Sequence, residues 1–163
     1  MPSHSSLHPF TVVALAGIVA GTLDLVYAST FWGIQLGMTP MQILQSIAAG
    51  WLGRDAAYGG GLPSALLGFA SHYAIAIAMA AAFLLACRRW PALLHRPVAY
   101  GALYGVLLYA VMTYAVVPLS RAGAGHWPQW RWENLSHIAG HMLLVGLPCA
   151  LGARRALARR AAS

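Results

Sequence analysis

Four long apolar runs, each of membrane-spanning length, constrain this chain more than any other feature. They cover about residues 10–32, 62–87, 97–119 and 134–153. A transmembrane helix needs ~20 mainly apolar residues, and a helix satisfies its own backbone hydrogen bonds inside lipid. Only 8% of the residues are charged, whereas a soluble domain carries about a quarter. The sequence therefore predicts an all-α integral membrane protein with four transmembrane helices, in a single domain over residues 1–163.

A shorter helix is predicted between the first two spans, at about residues 40–52. Thr39 can cap its start, a proline occupies the first helical position, and Gln42 can bond back to Thr39. This helix is too short to cross a bilayer and alternates apolar with polar residues, which indicates an interfacial or re-entrant segment. Gly53 and the run Gly59–Gly61 are expected to end it.

The charged residues predict how the chain crosses the membrane. All ten basic residues are Arg, and seven of them lie in two clusters at the ends of spans. These seven are Arg88, Arg89, Arg96, Arg154, Arg155, Arg159 and Arg160. Because basic residues accumulate on the cytoplasmic side, we expect both termini and the middle loop in the cytoplasm, and the loops at about 33–61 and 120–133 outside. Residues 1–9 would form a flexible tail, and 154–163 a basic cytoplasmic tail.

Small residues on one side of a span predict close contacts between helices. Gly17 and Gly21 share a face of the first span with Asp24, and Gly101 and Gly105 share a face of the third. The expected partners are therefore the lipid bilayer and, through these faces, a second copy or another membrane protein. Nucleic acid is not an expected partner despite the net charge of +7, because no stretch combines basic residues with stacking aromatic residues.

A layer of polar side chains is predicted inside the outer half of the membrane. Ionisable residues are costly in lipid and usually face the interior of a bundle, where they meet one another. The expected intramembrane polar cluster consists of Asp24, His72, His141 and Tyr114, one residue from each span. At its rim, the start of the last span carries Glu133, Asn134 and His137, which fall on the same side of a helix as His141.

Several chemistries suit such a cluster, and the sequence leaves them open. Asp24, His72 and His141 could ligate a transition metal, His72 and His141 could hold a b-type haem, and the same groups could relay protons. No cofactor is predicted outright. No catalytic residue is assigned, and the absence of an H-E-x-x-H pattern argues against a zincin protease. Cys87 and Cys149 lack metal-site spacing and are expected to be apolar packing residues.

Three functions follow from these alternatives. The first is a non-enzymatic membrane protein that handles protons or a metal ion. The second is a structural or partner-binding subunit, in which the polar groups only hydrogen-bond to one another and hold the helices together. The third is a haem-binding electron carrier. A non-enzymatic protein is favoured over an enzyme.

The start of the last span resembles a known family. An aromatic residue followed by Glu133-Asn134-x-Ser136-x-x-x-Gly140-His141 is similar to the YagU-like family of bacterial inner-membrane proteins. The second span centred on His72, the basic loop after it and the Arg-bearing chain end also match, so the resemblance covers most of the chain from about residue 62. It implies a multi-pass protein of the bacterial inner (cytoplasmic) membrane, and it implies no activity.

Overall fold

The computed structural model describes residues 8–158, apart from the side chain of Pro9, and shows an all-α protein. Its helices are α1 Pro9–Leu36, α2 Pro40–Leu52, α3 Arg54–Gly59, α4 Gly61–Arg89, α5 Pro97–Leu119 and α6 Glu133–Ala158. A 3₁₀ turn at Pro91–Leu94 joins α4 to α5. Helices α1, α4, α5 and α6 are long and apolar enough to cross a membrane, so the prediction of a four-span helical protein is confirmed.

The first span extends one turn beyond its predicted end. It stops at Leu36 because Gly37 adopts a left-handed conformation, with φ of 67°, and donates its N–H to the carbonyl of Gly33. Glycine takes this conformation without a steric penalty, which makes it a common helix terminator.

The last span is also longer than predicted. It continues to Ala158, so residues 154–158 of the tail expected at 154–163 are helical. Positive charge near a helix C-terminus is favourable, so Arg155 in the last turn is compatible with continued helix. The remaining residues of both predicted tails, 1–7 and 159–163, lie outside the described residues.

Glycines allow the spans to approach backbone to backbone, as the small-residue faces predicted. A Cβ atom added to Gly17 of α1 would lie 2.9 Å from the backbone nitrogen of Ile77 in α4. A Cβ atom added to Gly105 of α5 would meet the backbone of Met142 in α6 at 2.5 Å. Neither position has room for a side chain, so the α1–α4 and α5–α6 pairs depend on these glycines.

The buried core lies toward one end of the bundle. We call this the Arg-rich end, since Arg88, Arg89, Arg96, Arg154 and Arg155 lie there. The core combines small and medium-sized side chains from α1, α4, α5 and α6, and these are Val12, Val13, Ala20, Ala80, Phe83, Leu84, Cys87, Leu108, Val145, Cys149, Ala150, Ala153 and Ala156. Cys87 and Cys149 are free and buried, which confirms that they are packing residues.

Helices α2 and α3 form a hairpin against the opposite end of α4. The predicted cap is confirmed, since Gln42 N donates to Thr39 Oγ1 at 3.3 Å and Thr39 N donates to Gln42 Oε1 at 2.8 Å. The hairpin lies close to α4 because Gly68 has no side chain to displace the backbone of Leu44. Helix α3 was not predicted. It begins directly after Gly53, whose φ of 82° turns the chain out of α2.

Buried polar side chains attach the hairpin to its surroundings. Gln45 Nε2 donates to the carbonyl of Gly61 at 3.1 Å, and Ser64 Oγ donates to the carbonyl of Ala57 at 2.6 Å. On the other side, Arg54 Nε donates to the carbonyl of Ala122, in the turn that follows α5, at 3.1 Å. We call this the hairpin end of the bundle. Its contacts fix α2 and α3 relative to α4 and α5.

Two spans contain a π-helical turn, at Met112–Val116 in α5 and at His141–Gly146 in α6. The N–H of Val117 donates to the carbonyl of Met112, and the N–H of Leu147 donates to the carbonyl of Met142. Each bond spans five residues. In both cases the next residue is a proline, Pro118 or Pro148. A proline ring clashes with the carbonyl four residues before it. A wider turn relieves that clash inside a membrane helix.

Candidate functional site

The hairpin end of the bundle is hollow, and its cavity of about 560 Å³ begins where the packed core ends. Ala20, Met79 and Val145 line it next to the core, and the exposed residues Arg54 and Tyr58 line it at the hairpin. Most of its other walls are apolar, formed by Leu25, Ala28, Trp32, Leu36, Met38, Ile43, Ile47, Ala49, Ile75, Ala76, Met112, Val117 and Ala122. Residues from the four spans and from the hairpin together line this open cavity.

Three of the four residues expected in the polar cluster line this one cavity. Asp24 comes from α1, His72 from α4 and His141 from α6. All three are partly buried. The small face of α1 brings Asp24 here, because Gly17 and Gly21 hold the same side of the helix against α4.

Both histidines of the cavity are oriented by backbone carbonyls. His72 Nε2 donates to the carbonyl of Gly21 across the α1–α4 contact at 2.8 Å. His141 Nδ1 donates to the carbonyl of His137, one turn back in α6, at 3.0 Å. A carbonyl oxygen can only accept, so these bonds determine which ring nitrogen carries the proton in the neutral imidazole. Within residues 8–158, no hydrogen bond joins Asp24, His72 and His141 to one another.

Tyr114, the fourth residue expected in the polar cluster, does not line the cavity. Its ring packs edge-to-face against Tyr109 at a centroid distance of 6.4 Å, and Tyr109 in turn packs against His141 at 5.6 Å. Met112 lines the cavity instead. Two residues further along a helix point to nearly the opposite side, which explains why Tyr114 faces away.

The three predicted rim residues also lie outside the cavity lining. Glu133 is paired with Arg131 two residues earlier, at 3.2 Å. Asn134 bonds through its backbone N–H to the carbonyl of Arg131 at 3.0 Å. Sharing one side of a helix with His141 did not bring these residues into the cavity lining.

His137 belongs to an aromatic cluster beside the cavity. Its ring stacks on Trp32 at a centroid distance of 5.3 Å and meets Phe31 edge-on at 4.6 Å. Tyr27 reaches the same place, where its hydroxyl shares a 2.8 Å hydrogen bond with Ser136 Oγ. These contacts hold Trp32, which lines the cavity, against α6.

Neither the aromatic cluster nor Arg54 was predicted as part of this site. Tyr27, Phe31 and Trp32 fall in an apolar run, where only their partners in α6 distinguish them from ordinary membrane aromatics. Arg54 falls in the predicted outer loop at about 33–61, since nothing in the sequence showed that α3 exists. Pro118 and Pro148 could have been used to predict the two π-helical turns that border the cavity.

No group of three or more His, Cys, Asp or Glu side chains is arranged to hold a metal ion among residues 8–158. Structural zinc sites use four protein ligands, and catalytic ones at least three. His72 and His141 each have one nitrogen on a carbonyl, as metal-ligating histidines often do, but among residues 8–158 they are not placed with Asp24 to form a three-ligand group.

Comparisons with protein-family models, with curated proteins and with solved structures give no match for this chain. The resemblance to the YagU-like family therefore remains a prediction, and the cavity is interpreted from its own residues.

Proposed function

We propose that this chain is a non-enzymatic protein of the bacterial inner membrane that binds a small amphipathic molecule in the cavity at its hairpin end. The observation that carries the proposal is the shared cavity itself, with mainly apolar walls and the side chains of Asp24, His72 and His141 from three of the spans. Small-molecule sites typically measure about 300–1,000 Å³ and combine apolar walls with a few polar groups. The volume of about 560 Å³ lies within that range.

The size and walls of the cavity favour such a ligand over a bare ion. Proton handling would use the same three side chains but needs only a file of water molecules, each occupying about 30 Å³ in the liquid. A single metal ion would need at least three ligands, and no such group of His, Cys, Asp or Glu is placed to hold one among residues 8–158. A b-type haem between His72 and His141 would be far more demanding, since the plane of the macrocycle has to fit between α1, α4 and α6.

Binding can be tested by blocking the cavity. Ala28 lines it from α1, so Ala28→Trp should place a large ring in the space that a ligand needs. We expect purified protein in phosphatidylcholine nanodiscs to bind 1-naphthylmethanol saturably, and the variant to bind it about tenfold more weakly or worse. Equilibrium dialysis measures this, because partition of the probe into lipid is the same for both proteins.

Ala74→Trp is the matched control, since Ala74 lies on the exposed side of α4. It adds the same side chain toward lipid and should bind the probe as the parent protein does. Equal binding by both Trp variants would contradict the proposal.

A structural role is the second candidate, favoured by the bond between His72 and the carbonyl of Gly21. This bond joins α1 to α4, and interhelical hydrogen bonds of this kind stabilise membrane bundles. The protein would then be a subunit whose exposed faces associate with a second copy or another membrane protein. That role predicts no difference between the two Trp variants in the dialysis experiment.

We also propose that both termini and the α4–α5 turn face the cytoplasm, because the Arg clusters lie there. Reporter fusions after Pro91 and at the C-terminus should then report the cytoplasm. Fusions near Gly60 and Gln129 should report the periplasm. A C-terminus in the periplasm would contradict this orientation and the assignment of the cavity to the outer half of the membrane.

A further inference from the structure

We propose that the molecule bound in the cavity is an organic cation, an amphipathic amine whose ammonium group faces Asp24. This inference rests on the proposed binding function and identifies the ligand class. It follows from the hydrogen-bonding groups that Asp24, His72 and His141 have left to offer.

The two histidines offer only acceptors in their neutral form. His72 Nε2 and His141 Nδ1 already donate to carbonyl oxygens of Gly21 and His137. The other ring nitrogen of a neutral imidazole is an acceptor. His72 Nδ1 and His141 Nε2 receive no hydrogen bond from any described residue, 8–158.

Asp24 adds two further acceptor oxygens. It lines the same cavity, and within the described part of the chain it forms neither an ion pair nor a side-chain hydrogen bond. An ionised carboxylate is an acceptor only. The three polar side chains contributed by α1, α4 and α6 therefore all call for a ligand that donates hydrogen bonds and carries positive charge.

An ammonium group both donates hydrogen bonds and carries positive charge, whereas a metal ion carries only the positive charge. An ammonium donates up to three hydrogen bonds, and those to a carboxylate are about twice as strong as neutral ones. A transition metal would also accept lone pairs, but no three His, Cys, Asp or Glu side chains between residues 8 and 158 are placed to hold one. The mainly apolar walls also suit an organic ligand.

The shape of the cavity defines the rest of the molecule. Asp24, Ala28 and Trp32 recur every four residues on α1, and all three line the cavity. Eight residues of helix place Trp32 about 12 Å from Asp24 along the axis. An apolar body up to this length, preferably with an aromatic ring that stacks on Trp32, can lie between them. Arg54 lines the hairpin end, where its charge would repel a second cationic group, so the ligand carries one amine.

Two probes of the same shape test the inference. 1-Naphthylmethylamine is an ammonium ion at neutral pH, and 1-naphthylmethanol is its neutral analogue. In phosphatidylcholine nanodiscs, the protein should bind the amine at least about tenfold more tightly than the alcohol. Asp24→Asn removes the charge at nearly constant shape and should abolish this preference while leaving the affinity for the alcohol unchanged. Asp24→Glu keeps the charge and should retain the preference.

Each outcome has a defined meaning. If the protein binds both probes equally, or if Asp24→Asn keeps the preference for the amine, the inference is wrong. If the alcohol binds and Ala28→Trp weakens it, the proposed binding function stands even then. If neither probe distinguishes the protein from Ala28→Trp, the binding function fails and the inference fails with it. If Asp24→Asn is not folded, as judged by size-exclusion chromatography, the Asp24→Glu variant and the two probes still decide the preference.

Discussion

Replacing Gly105 with Leu should prevent the four spans from assembling into a stable bundle. A side chain at this position would collide with the backbone of His141 and Met142, and Gly146 lies opposite on α6. Overpacking a core typically costs about 1–3 kcal/mol where side chains can shift. Here the neighbours are backbone atoms on a helix that also contacts α1, so we expect a loss of at least ~3 kcal/mol.

The measurement is the fraction of monodisperse protein that survives a temperature ramp in mild detergent. Ala99→Leu is the control, because Ala99 lies on the exposed side of α5 and receives a side chain of the same size. The control should lose its monodisperse fraction at the same midpoint temperature as the parent protein. If Gly105→Leu had this midpoint as well, the close contact between α5 and α6 would not exist in the protein.

Replacing Gly68 with Leu should separate the hairpin from the bundle without unfolding the spans. A side chain at Gly68 would collide with the carbonyl group of Leu44 in α2. Helix α2 contributes Ile43, Ile47 and Ala49 to the cavity wall, so its displacement should also abolish binding of 1-naphthylmethanol. We expect hydrogen exchange of the amides in α2 and α3 to accelerate by about tenfold to a hundredfold.

Gly59→Leu provides the comparison for this variant. Gly59 ends α3, and a Cβ atom there would have nothing within 4 Å, so exchange and binding should be unchanged. The spans of Gly68→Leu should keep slow exchange, since α4 still packs on α1. Faster exchange throughout α1 and α4 would show instead that hairpin and spans unfold as one unit.

The elements that could be predicted from the sequence are those specified by local chemistry. The cap of α2 requires only Thr39, a proline and Gln42, all within four residues. The four spans follow from runs of apolar residues, because lipid leaves the backbone few alternatives. The convergence of Asp24, His72 and His141 on one cavity was expected because each is an ionisable residue in an apolar run.

The features that escaped prediction depend on contacts between distant residues. Helix α3 has six residues, too few to show a hydrophobic period, and its buried residue Ala57 packs against Ala48 and Ala49 of α2. Tyr114 was placed by its depth in the membrane, and depth does not determine which way a side chain faces. His137 was assigned to the rim of the polar cluster. It lies among aromatic rings of α1, a set of contacts that no pattern within α6 reveals.

The π-helical turn in α6 has a consequence for helical phase. Each residue of a regular helix advances by about 100°, but a turn closed by a bond to the fifth preceding residue holds more residues. The two halves of α6 are thus out of register with each other across His141–Gly146. Residues before the turn can direct Ser136 toward Tyr27 of α1, while residues after it direct Gly152 toward Ala16 of the same helix. If the same residues closed as a regular α-helix, one half would be rotated by up to about 100° relative to the other, so these two contacts with α1 could no longer form together.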